Sequence, residues 1–186
     1  MTNVWQGQLV RLRGVEPTDA EIFSRFNLDS ERARLLDYAW PPISAEAVRE
    51  WAREQSLKRL DNDAFFWVIV RAASGEPVGQ VSTHNCNTRN GTFAYGIDIA
   101  RDHRRLGYAR EAITLVLAYY FDTLRYQMCQ VDIHADNAAS IALHDAMGFV
   151  HEGRRRRAVY TNGAYVDTVL MSLAVDEFKR GQSPAV

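Results

Sequence analysis

The run from Thr92 to Gly148 constrains this chain most, because a strand, a basic loop, a helix, a second strand and a second helix follow there in close order. Asn90-Gly91 is a turn signal, and Thr92 to Ile99 reads as the strand after it. Arg104-Arg105-Leu106-Gly107-Tyr108-Ala109-Arg110 follows as a basic loop. Ile113, Val116, Leu117 and Tyr120 then recur at i, i+3, i+4 and i+7, the spacing of one helical face. Gln127 to His134 is a further strand, and Asp136-Asn137 opens a shorter helix that Gly148 ends. A strand feeding a helix N-terminus through a tight loop aims backbone N–H groups and the positive helix end at one point, which suits a phosphate. Gly107 permits a conformation or close approach that a Cβ would obstruct. Ala109 keeps the wall small, and Arg104 and Arg110 add charge. The segment is not the Gly-x-x-x-x-Gly-Lys-Ser/Thr loop of nucleotide hydrolases, and no Gly-x-Gly-x-x-Gly is present.

The flanking sequence frames this run. Leu9 to Arg13 alternates apolar and basic residues as a half-exposed strand does, and Pro17-Thr18-Asp19 opens a helix carrying Ala20, Ile22, Phe23 and Phe26. Leu35 to Pro42 is aromatic and cannot be regular helix through two prolines. Ser44 reads as the N-cap of a helix to about Leu60. Phe65 to Val70 and Val78 to His84 form a hairpin around Ser74-Gly75-Glu76-Pro77, and Phe149 to Tyr160 and Ala164 to Ala174 another around Asn162-Gly163. The order predicts an α/β (α+β) domain spanning residues 1–186, with a mixed, mostly antiparallel sheet of about seven strands and about four helices. Composition excludes several alternatives. With 186 residues and a formal charge of −1, a direct nucleic-acid binder is not expected. No apolar run reaches ~18 residues, so no membrane span is expected. Cys86 and Cys129 cannot make a disulfide framework, which points to the cytoplasm. Asp132, His134 and Asp136 alternate on one strand without a fourth ligand, so no metal is expected.

After the second strand come His134-Ala135-Asp136-Asn137, Ser140, and Leu143-His144 through Gly148-Phe149. Together with the Arg104–Arg110 loop, this closely resembles the GNAT superfamily of acyl-coenzyme A-dependent N-acyltransferases. That family's pattern is Gln/Arg-x-x-Gly-x-Gly/Ala, then Asn-x-x-Ser/Ala-x-x-Leu-Tyr-x-x-x-Gly-Phe. Leu-Val-Arg-Leu-Arg near the start, Trp40-Pro41-Pro42, Trp51 and the late Glu152-Gly153, Tyr160-Thr-Asn-Gly163, Tyr165, Asp167 and Leu170-Met171 resemble the subfamily of ribosomal-protein N-terminal acetyltransferases and spermidine acetyltransferases. The resemblance implies the GNAT fold, acetyl-coenzyme A as donor, an amine acceptor (a small molecule or a protein N-terminus), and compatibility with a homodimer. It places the pyrophosphate on the backbone amides of Arg104, Arg105, Leu106, Gly107, Tyr108, Ala109 and Arg110. It makes Ile97, Asp98 and Ile99 a splayed strand that hydrogen-bonds the pantetheine arm, where a fixed N–H can face the thioester oxygen. It brings Asn137, Ser140 and His144 to the coenzyme, and the Tyr38 and Trp40 loop over the acceptor.

Two departures bear on the chemistry. His144 stands where the family has a tyrosine near the thiol. An imidazole titrating near ~6.5 can protonate a departing thiolate, and a packing histidine is the alternative. Asn137 is either a contact to pantetheine or amine, or a helix N-cap, and both roles are compatible. Many relatives carry a glutamate two residues ahead of a strand glycine; Ala94, two before Gly96, stands there instead. Asp98, His84 and Tyr95 remain as acid–base or acceptor-binding candidates. An α-amino group of pKa ~8 is about 10% neutral at pH 7, whereas a lysine-type amine at ~10.4 is neutral about once in several thousand. Absence of the glutamate therefore leans towards a weakly basic amine or water-relayed deprotonation. Arg154 to Arg157 reads as a solvated edge or as a contact to an acidic group. A non-catalytic coenzyme A-binding protein, or a transferase using another donor such as succinyl-coenzyme A, is the rival reading.

Overall fold

The computed structural model describes residues 3–36, 41–59 and 62–182. Seven strands form one sheet: β1 (Val10–Arg13), β2 (Phe66–Arg71), β3 (Pro77–Asn87), β4 (Thr92–Ile99), β5 (Met128–His134), β6 (Val150–Thr161) and β7 (Ala164–Ala174). Their spatial order is β1-β2-β3-β4-β5-β7-β6. Every neighbouring pair is antiparallel except β4 and β5, which run parallel with a crossover helix between them. The helices are α1 (Ala20–Asn27), α2 (Ser30–Leu36), α3 (Ala45–Leu57), α4 (Tyr108–Ala118), α5 (Ala138–Ala146) and α6 (Val175–Gln182). They exceed the expected four because a short second helix follows α1 and a terminal helix follows β7. Neither has a long apolar period to announce it. No helix of the described residues is long and apolar enough to cross a membrane.

Each face of the sheet has its own apolar cluster. Alternate residues of a strand face opposite ways, so the two clusters use different residues of the same strands. Ile69, Val81, Phe93, Tyr95, Val131 and Met171 pack with Ile113, Val116, Leu117 and Tyr120 of the α4 segment. Val68 and Val70 face the other way and meet Phe23 and Phe26 of α1 with Val48 and Ala52 of α3. Trp51 closes this second cluster, its ring 4.9 Å from Phe23 and 5.4 Å from Phe66. Ser44 caps α3 as expected, its Oγ accepting the Ala47 N–H at 3.1 Å. Beneath α1, Arg13 holds the buried Asp19 carboxylate through both guanidinium nitrogens, at 2.7 and 2.8 Å. Burial pushes the Asp19 pKa up, but the Arg13 and Glu16 hydrogen bonds outweigh it and the net shift is downward.

Cys86, two residues beyond the strand end expected at His84, lies on β3, which runs three residues past His84. Its thiol donates to the Asp63 carbonyl at 3.1 Å. The hydroxyl of Tyr126 donates to the Asp63 carboxylate at 2.7 Å, so the 62–65 segment is tied down from two sides. This anchoring by distant partners is what extends the strand beyond its apolar residues.

Candidate active site

The site is set by a fork in the sheet. β4 and β5 pair only at Thr92–Met128 and Phe93–Cys129. Beyond these residues β4 continues with β3 and β5 with β7, so from Ala94 and Gln130 onward the facing edges separate. The backbone groups along the inner edge of β4 are left for something other than the sheet. A cavity of about 420 Å³ opens at the wide end of the fork. Its wall includes Ile97, Asp98 and Ile99 of β4, the loop residues Arg104, Arg105 and Gly107, the first turn of α4 (Tyr108, Ala109, Arg110), and Asn137, Ala139, Ser140 and Leu143 at α5.

The loop has an unusual backbone. Arg105 and Gly107 both take left-handed conformations, at φ 62° and 82°. Gly107 is the N-cap of α4, and a Cβ there would stand 3.1 Å from the Leu9 side chain. The first intrahelical bond is Glu111 N–H to the Gly107 carbonyl at 3.1 Å, which leaves the amides of Tyr108, Ala109 and Arg110, three residues of the cavity wall, without an acceptor in the helix. With the positive helix end these amides can receive an anion. The Arg104 side chain turns back to donate to the Ile99 carbonyl at 3.0 Å, so it braces the loop against β4. Leu106 is half exposed and is not on the cavity wall.

Sequence reasoning missed the support beneath this loop. Glu111 accepts three backbone N–H groups, from Gln8 at 2.9 Å and from Leu9 and Val10 at 2.7 Å each. It ties the chain ahead of β1 to the first turn of α4. Gly7 makes room for it: a Cβ at Gly7 would lie 2.4 Å from the Glu111 carboxylate. Arg71 adds a hydrogen bond to the Tyr108 hydroxyl at 3.1 Å. The signal in the sequence is a single glutamate in a helix's first turn, which reads equally as a complement to the helix dipole.

The structure separates the other candidates into three places. Asn137 and Ser140 reach the cavity, and the Asn137 side chain also caps α5 by accepting the Ser140 N–H at 3.1 Å. His144 and Tyr95 lie behind the wall. The Tyr95 hydroxyl and His144 Nε2 are 2.8 Å apart, and His144 Nδ1 lies 2.7 Å from the Ser140 carbonyl. A carbonyl only accepts, so Nδ1 carries the proton and Nε2 accepts from Tyr95. Burial lowers the His144 pKa against the opposing pull of the Ser140 carbonyl and Asp145, and burial raises that of Tyr95. The pair is therefore neutral and closed on itself, binding α5 to β4.

Asp98 and His84 belong to the opposite face. Asp98 shares that face with Ala94 and Gly96, as the alternation predicts, and is 7% exposed. His84 pairs across from Ala94. It lies at the surface, yet the protein packed around it disfavours the charged imidazole and lowers its pKa, against the pull of the Asp132 carboxylate. Tyr38 and Trp40 lie outside the described residues. Arg154 and Arg155 are engaged by Asp167 at 2.7 Å and Asp132 at 2.9 Å, and Arg157 stacks over Tyr165. Among the described residues no three His, Cys, Asp or Glu side chains are grouped to hold a metal.

The forked sheet, with helix-terminal amides at its wide end, forms one open cavity that can receive an extended anionic ligand. Residues 10–150 match the acetyltransferase (GNAT) domain, and the chain belongs to that family, whose members are acyl-coenzyme A-dependent N-acyltransferases. It is 35% identical to the SPbeta prophage-derived uncharacterized N-acetyltransferase YokL of Bacillus subtilis (strain 168), over 94% of this chain and 95% of that protein. It is 26% identical to the spermidine N(1)-acetyltransferase of Vibrio cholerae, over 90% of this chain and 94% of that one. A crystal structure of spermidine N-acetyltransferase from Vibrio cholerae, in complex with CoA and spermine, shares the fold with a TM-score of 0.80 at 22% identity, over 93% of this chain and 99% of that one.

Proposed function

We propose that this protein transfers an acetyl group from acetyl-coenzyme A to a primary amine, by direct attack of the amine on the thioester. The observation that carries this reading is the fork: the α4 loop and an unpaired strand edge line one cavity, with Asp98 on its wall and His84 on the same sheet face as Asp98. In this reading the loop amides from Arg104 to Arg110 hold the pyrophosphate. The β4 edge at Ile97 to Ile99 holds the pantetheine arm, and Asn137 and Ser140 close the wall. A β4 amide stabilises the charge that develops on the thioester oxygen. Asp98 attracts the acceptor's ammonium, and His84, neutral at pH 7, takes its proton directly or through water. His144 serves by holding α5 against β4 through Tyr95, which keeps Ser140 and Asn137 in place. Neither cysteine is suited to a covalent intermediate, because burial raises both thiols. Self-association belongs to this reading, supported by a dodecameric structure of spermidine N-acetyltransferase from Vibrio cholerae.

Release of the coenzyme thiol with a panel of amines tests the reading. Turnover should fall as pH drops below the ordinary histidine range, since a protonated His84 cannot accept. His84→Gln should remove that limb and slow strongly basic amines more than weakly basic ones. Tight coenzyme A binding with no turnover on any amine would instead favour a non-catalytic binding protein.

A further inference from the structure

Two buried polar atoms find no hydrogen-bond partner among the described residues, His134 Nδ1 and Thr168 Oγ1. They are not scattered. His134 and Thr168 are direct partners in the β5–β7 register, so their side chains leave the sheet side by side. Their chain neighbours Ile133 and Val169 pack against the α4 cluster. His134 and Thr168 therefore point to the opposite face, the one that carries Asp98 and His84. Only 6% and 4% of their surfaces are exposed. Buried polar atoms are nearly always paired, and two orphans in adjacent register ask for a common partner.

Their position says where that partner comes from. The His134 carbonyl accepts the Asn137 N–H at 2.9 Å, and Asn137 stands on the cavity wall. The pair thus adjoins the wide end of the fork, on the side away from α4 and α5. A Thr hydroxyl can donate and accept, and an imidazole nitrogen does one or the other. Together they match the donor and acceptor of one uncharged group. They match a second ammonium poorly, because a buried cation needs a counter-charge. On this face Asp132 is already engaged by Arg155 at 2.9 Å, and Asp98 stands on the other arm of the fork.

We infer that His134 and Thr168 form an acceptor subsite for an uncharged hydrogen-bonding group, an amide or a hydroxyl, carried by the amine that is acetylated. This rests on the reading that the chain acetylates an amine, and it selects amino amides and amino alcohols over diamines.

The test compares glycinamide and ethanolamine with propylamine and 1,3-diaminopropane, by thiol release, in the wild type, Thr168→Val and Thr168→Ser. Rates are corrected for each amine's neutral fraction. The wild type should favour glycinamide and ethanolamine over propylamine and the diamine by about tenfold in kcat/KM, a difference of ~1.4 kcal/mol. Thr168→Val should lose that preference by raising KM for glycinamide and ethanolamine far more than for propylamine, and Thr168→Ser should retain it. The variant-to-wild-type ratio cancels the amines' different basicities. Equal losses on every acceptor, or none, would mean that Thr168 is structural or served by a buried water, and would overturn the subsite. A wild type without that preference overturns the subsite even if Thr168→Val does not fold. Turnover confined to the diamine removes the subsite and leaves acetyl transfer standing. Coenzyme A binding without turnover on any amine removes both.

Discussion

The two sides of the fork are built in different ways. The coenzyme side uses consecutive residues and mostly their backbones: a strand end, a loop with two left-handed residues and the first turn of α4. The side proposed for the acceptor uses side chains from four strands, His84, Asp98, His134 and Thr168, which share a sheet face through register. A backbone cradle tolerates change in most of its side chains but not in its dihedral angles. A side-chain pocket tolerates backbone adjustment but is redefined by each substitution. One fold can thus keep its donor while its acceptor varies.

Three substitutions sharpen or break this contrast. The largest effect is expected from Asp19→Ala beneath the acceptor-side cluster. It strands Arg13 opposite a lost, 5%-exposed carboxylate, and breaking such a pair costs about 3–5 kcal/mol. Chemical denaturation should show that loss while coenzyme A affinity, measured in the cold on folded protein, stays unchanged. A fall in affinity as large as the fall in stability would show that the two sides are one cooperative unit. Gly107→Val comes next. It places a β-branched residue at φ 82° and 3.1 Å from Leu9, a strain of about 1–3 kcal/mol. Calorimetry should read a coenzyme A Kd raised about 10- to 100-fold, with the ranking of acceptor amines unaltered. Smallest is Glu111→Gln, which keeps the shape and an oxygen acceptor for Leu9 and Val10 but sets an NH2 against the Gln8 N–H, so that bond is lost and the other two lose their charge assistance. A loss of about 1–1.5 kcal/mol corresponds to roughly tenfold. It should raise the KM for acetyl-coenzyme A and leave kcat in place. A fall in kcat at constant KM would mean that the clamp acts on the acceptor side.

How much was legible follows the same division. The loop residues of the cavity wall could be read because a strand–loop–helix turn is a local object, and its glycine, small residue and helix start lie within seven positions. Of the residues expected around the coenzyme, Leu106 and His144 alone are off the cavity wall. Helical spacing put His144 on the face of Asn137 and Ser140, but it could not foresee that Tyr95, forty-nine residues earlier, would take up its Nε2. Glu111 escaped notice because its partners precede it by about a hundred residues. His134 and Thr168 were legible as strand residues and nothing more, since their pairing is a fact of β5–β7 register.

The sequence by itself determined the element order, the alternation that gives the sheet two faces, and the loop conformation, because these depend on neighbours a few residues apart. Only the tertiary structure decided where β4 and β5 part, which histidine lies behind the wall and which lies on the opposite sheet face, and what holds the loop from below. Those outcomes depend on side chains distant in sequence competing for the same space and the same hydrogen bonds, and no local pattern records who wins.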